Sequence, residues 1–92
     1  MGFFGKKNGL DLRQVQGMLI NDPLKIVRLE HSSKSKTLIL KALAAISKDA
    51  HGAAIFDTLE EFLRDAAPKQ NLTADQDGAR MFLLRSLDKA RV

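Results

Sequence analysis

Between Thr37 and Ile46 the chain reads TLILKALAAI, ten residues in which Lys41 carries the only charge. A helix that is apolar on nearly every side is stable only where other elements cover it, so this segment has to be central. The whole chain holds five Phe and neither Trp nor Tyr. With so little aromatic area, the core must come from Leu, Ile, Val and Ala at helical spacing. The expected fold is therefore all-α, with four to five short helices gathered around residues 37–46.

Local signals place the remaining helices. Leu12, Val15 and Leu19 follow Asp11 at helical spacing and predict a first helix, which Gly17 weakens. Asn21-Asp22-Pro23 stops it and opens the next, since Asp at a cap followed by Pro in the first turn is a helix start. PLKIVRLEH then reads as a short helix, although Ile26, Val27 and Leu29 also suit a strand. SSKSK (32–36) reads as a polar loop. The central helix presents Ile39, Leu43 and Ile46, with Leu38, Ala42 and Ala45 beside them, and ends at SKDA. Over residues 52–67, Ile55, Leu59, Phe62, Leu63 and Ala66 form an inner stripe, and Pro68 ends the helix. Thr73 caps a last helix of about 74–90 that buries Ala79, Leu83, Leu87 and Ala90. One domain, 1–92, is expected, with residues 1–9 as a flexible N-terminal arm.

Chemistry is easier to exclude than to assign. There is no cysteine, which rules out disulfides and thiolate metal sites. No apolar run approaches the roughly 18–20 residues of a membrane span. MGFFGKK lacks the apolar stretch of a secretory signal, and a cytoplasmic location is expected. His31 and His51 are the only two histidines, and neither sits in a hydrolase, metalloprotease or phosphate-loop pattern. Asp57 and Glu61, four apart, read as a solvated helix surface. TADQDGARMFLL has Asp75, Asp77 and Gly78 at calcium-loop spacing, but Thr73 and Leu84 stand where the first and last oxygen ligands belong. Thr73, Asp75 and Asp77 read instead as the cap and first turn of a helix. No enzyme activity, metal, cofactor or small-molecule substrate is expected.

Charge says more about partners. The formal net charge is +4 and the isoelectric point about 9.7. Residues 1–50 hold nine Lys/Arg against four Asp/Glu, whereas residues 51–92 hold six against seven. A basic half suits a polyanion or an acidic partner. Lys34, Lys41 and Lys48 recur every seven residues, so a helix through them aligns three ammonium groups. With Lys36 and the hydroxyls of 32–37 they form a candidate phosphate-contacting edge.

The last three helices resemble a known family. HGAAIFDTLEEFL is similar to the second helix of PadR-type winged-helix regulators in its His51, Gly52, Ile55, Leu59, Glu60 and Glu61. GARMFLLRSLDKARV is similar to that family's recognition helix through Gly78, Leu84, Leu87, Asp88 and Lys89. The resemblance covers residues 37–92, without the wing, and implies a three-helix, helix-turn-helix-like DNA-binding core. In it KDAHG is the bend between the first two helices, with His51 as a cap. Arg80, Arg85 and Lys89 would then lie near a groove of the DNA. The competing expectation is an adaptor or inhibitor that meets a protein partner, or a second copy as a homodimer, through Phe3, Phe4 and Met81. An acidic face of Asp57, Glu60, Glu61 and Asp65 would assist such association.

Overall fold

A computed structural model describes residues 10–91. Within them the chain forms five α-helices and no strand: α1 (Leu12–Asn21), α2 (Pro23–Arg28), α3 (Ser33–Ser47), α4 (Gly52–Glu61) and α5 (Ala74–Ala90). The fold is all-α with short helices. Helix starts follow local chemistry. Asp11, Ser32 and Thr73 cap α1, α3 and α5 by reciprocal capping boxes with Gln14, Ser35 and Gln76. Pro23 stands in the first turn of α2, where its missing N–H is not needed. Between residues 70 and 73 the chain turns through Asn71, whose φ of 55° is left-handed. Asn tolerates that region better than most residues.

One core joins all five helices. Val15 and Leu19 of α1, Ile26 and Val27 of α2, and Ile39, Leu43 and Ile46 of α3 are buried together with Phe56 and Leu59 of α4 and Leu83 and Leu87 of α5. Helix α3 packs against α1, α4 and α5, as its apolar sequence requires. Helix α4 and α5 also touch each other.

Three expectations change. The 32–36 segment is not a loop, because Ser32 caps α3 and residues 33–36 form its first turn. The second is the inner stripe of α4, which runs through Phe56, Leu59, Leu63 and Ala67, while Ile55, Phe62 and Ala66 are only half-buried. The third is that Pro68 does not stop the helical path. A π-helical turn over Phe62–Ala66 is followed by a 3-10 turn over Ala67–Lys69 that contains the proline. A proline ring in a regular α-helix collides with the carbonyl four residues earlier, and the wider π turn relieves that contact.

The α3–α4 bend depends on Gly52. A Cβ placed there would stand 2.2 Å from the Ile46 carbonyl oxygen. His51 holds the cap position of α4, but its side chain makes no capping bond. Asp49 does the nearby work, its Oδ1 accepting the His51 backbone N–H at 2.8 Å. Asp reaches a backbone N–H two residues ahead with a short side chain, which leaves the His51 ring outside the bend.

Candidate nucleic-acid interface

Helix α3 and its C-cap carry Lys34, Lys36, Lys41 and Lys48 and no carboxylate at all. At about 100° per residue, Lys34, Lys41 and Lys48 fall within about 40° of one another. All three are exposed, and none makes an ion pair among the described residues. Lys36 does not join them. It lies about 120–160° round the helix, on the flank that faces α5, with Nζ 5.4 Å from the centre of the Phe82 ring. The edge expected from sequence is thus two features, a lysine flank and a single lysine turned toward α5.

Lys36 enters a groove between the α2–α3 corner and α5, with a volume of about 700 Å³. Arg28, His31 and Arg85 also line it. Arg28 donates from Nη2 to the Gln70 carbonyl at 2.9 Å. His31 Nε2 lies 2.8 Å from the Ile26 carbonyl oxygen, which can only accept, so the proton belongs on Nε2. Its Nδ1 is buried with no partner, and the ring meets Phe82 edge-on, centroids 6.1 Å apart. Sequence carries no sign of this groove, because Arg85 lies 49 residues beyond Lys36 along the chain.

On α5 the expected groove-reading residues part company. Arg85 and Lys89 are exposed and outside any ion pair among the described residues. Arg80 is not available: its side chain is only 15% exposed, with Nε donating to Asp77 Oδ1 at 2.9 Å and Nη1 to the Leu63 carbonyl at 3.0 Å. A guanidinium committed to a backbone carbonyl across the core is a structural group. Met81 is 41% exposed, on the otherwise polar side. Phe3 and Phe4 lie outside the described residues.

Half of the acidic face of α4, Asp57 and Glu60, is neutralised from within. Arg91, just past α5, donates to Asp57 Oδ1 at 2.7 Å and Glu60 Oε1 at 3.0 Å, and its guanidinium lies 5.8 Å from the Phe56 ring centre. Arg64 pairs with Glu60 Oε2 at 2.9 Å. Hydrogen bonds from Arg64 and then Arg91 hold the Glu60 carboxyl below its usual range. The same cluster, with Asp57 foremost, raises Arg91. Glu61 and Asp65 remain outside these pairs.

Two further observations bear on partners. A smaller, more apolar groove of about 450 Å³ opens between the end of α1 and α4, with Ile20 46% exposed beside it. No described helix is long and apolar enough to cross a membrane. No protein family, no curated protein and no solved structure matches this chain.

Proposed function

We propose that this chain is a small, non-enzymatic, helix-turn-helix-like protein that binds nucleic acid, with Lys34, Lys41 and Lys48 of α3 against backbone phosphates. The observation that carries the reading is the lysine flank itself: three exposed ammonium groups, unpaired among the described residues, on a helix that has no carboxylate. Helices α3, α4 and α5 touch one another, and the resemblance to PadR-type regulators implies a three-helix DNA-binding core over the same residues. In this reading Arg85 and Lys89 lie beside the nucleic acid, and Arg80 braces the core. Regulation of transcription is the biological role such binding would serve.

The test is the anisotropy of a labelled DNA duplex titrated at several salt concentrations. Three phosphate contacts imply a log–log salt slope of about −2.7. Lys34→Glu with Lys41→Glu should weaken binding at least tenfold without loss of helicity. An absence of binding at low salt would sink the reading.

A second reading is favoured by the apolar groove beside Ile20. A helical adaptor would seat a protein partner, or a second copy, there and at Met81, with Phe3 and Phe4 assisting. Ile20→Glu separates the two readings, since it should abolish adaptor binding and leave the duplex affinity unchanged.

A further inference from the structure

We infer that the groove between the α2–α3 corner and α5 is a separate anion site, and that it takes a phosphate monoester. The chemistry of its lining selects the ligand. Lys36 and Arg85 bring cations from α3 and α5, and neither is paired with a carboxylate among the described residues. Arg28 adds a third cation from α2, with only Nη2 engaged in a bond to the Gln70 carbonyl.

Thr73 and Gln76 add donors of a less obvious kind. In the capping box Thr73 Oγ1 accepts the Gln76 N–H at 3.1 Å, and Gln76 Oε1 accepts the Thr73 N–H at 3.0 Å. Each side-chain oxygen thus accepts one backbone N–H. The Thr73 hydroxyl hydrogen and the Gln76 amide hydrogens are left over. The bare acceptor in the wall, His31 Nδ1, is shut off from solvent.

The uncommitted groups are thus chiefly donors, set on α2, on α3, at the start of α5 and, with Arg85, further along α5. An acceptor-rich anion fits them. A phosphate monoester offers three free oxygens to donors on several sides, whereas a diester offers two and needs a chain path in both directions. The volume of about 700 Å³ falls in the ordinary range for small-ligand sites. Glu30 and Asp75 also line the groove and oppose the anion. Their presence sets the direction of the most informative variant. At Gly78, on the α5 side, nothing lies within 4 Å of where a Cβ would stand, so the helix backbone is open to close approach.

The experiment is a titration of the whole chain with inorganic phosphate at constant ionic strength, followed by backbone amide chemical shifts. Saturable shifts at Lys36, Thr73, Gln76, Gly78 and Arg85, without matching shifts at Lys34, Lys41 and Lys48, are expected. Lys36→Met with Arg85→Met should weaken binding at least tenfold. Asp75→Asn should tighten it by about fivefold, the effect of removing one nearby like charge in a water-like medium. A misfolded variant would not produce that gain.

Two further pairs identify the source of the phosphate: a nucleoside 5′-monophosphate against its nucleoside, and a 5′-phosphorylated single strand against its 5′-hydroxyl form. Preference for the phosphorylated member of either pair supports the site and names its ligand. Shifts that do not saturate, shifts shared equally with the lysine flank, or no preference in either pair overturn it. Charge reversal at Lys34 and Lys41 should leave the groove shifts intact, so this site and the duplex-binding flank stand or fall separately.

Discussion

Arg80 Nη1 donates a hydrogen bond of 3.0 Å to the backbone carbonyl of Leu63, seventeen residues away and on another helix. That carbonyl has lost its ordinary helical donors. The Ala67 N–H reaches Phe62 in the π turn, and Pro68, next in line, has no N–H. Leu63 is fully buried, so its carbonyl depends on a side chain. Removing the donor to a buried carbonyl costs about 1–3 kcal/mol. Arg80→Ala should lower stability by that amount in urea unfolding, and its duplex affinity, measured under folded conditions, should stay within about twofold of wild type. A variant as stable as the parent would show that water replaces the guanidinium without loss.

Gly52→Ala should be the more damaging of two simple glycine substitutions. The added methyl meets the Ile46 carbonyl at 2.2 Å, and the obstacle is backbone rather than a movable side chain. Overpacking of this kind typically costs about 1–3 kcal/mol. Thermal unfolding followed by circular dichroism reads it directly. An unchanged midpoint would mean that the α3–α4 bend shifts freely.

Gly17→Ala should act in the opposite direction. Gly17 lies within α1, and nothing stands within 4 Å of its missing Cβ. Glycine inside a helix is about 0.5–1 kcal/mol less favourable than alanine. The variant should gain stability of that order, and a loss would point to crowding around α1 in solution.

Acid should release the cluster around Arg91. Hydrogen bonds from Arg64 and Arg91 depress the Glu60 carboxyl, so its contribution is present above the ordinary glutamate range near pH 4.3 and disappears as pH falls through the depressed value. The difference in urea midpoint between the parent and Glu60→Gln should be constant from pH 7 to about pH 5 and close below that. Arg91 is raised, so its contribution is complete below its already high unfolded value and survives through the neutral and mildly alkaline range. A difference that does not narrow in acid would rule out Glu60 as the titrating member.

Much of the fold was legible because its signals are local. The α5 helix has its start written in Thr73, Asp75 and Asp77 and its buried face in Ala79, Leu83 and Leu87, all within a few turns of one another. Asp22-Pro23 likewise marks the α1–α2 junction without help from the rest of the chain. The Ser32–Ser35 box was equally local, yet its polar composition resembled a loop, because serine favours turns and helix caps alike. The inner stripe of α4 was legible only in part: Leu59 and Leu63 are buried as expected, but Ile55 and Phe56 are adjacent apolar residues, and packing alone decides that Phe56 is the buried one.

The fate of the charged residues divides in the same way. The sequence by itself determined that α3 is central and basic, because an apolar helix without carboxylates can solvate only its lysines. Helical pitch aligns Lys34 with Lys41 and Lys48 only because the Ser32 cap carries α3 back through residues 33–36. Only the tertiary structure decided that Lys36 turns toward Phe82, that Arg80 braces Leu63 and that Arg91 closes on Asp57 and Glu60. Those outcomes depend on which helix lies opposite. Arg80 and Arg91 meet partners 17 to 34 residues away, and no periodicity in the chain encodes a distance of that kind.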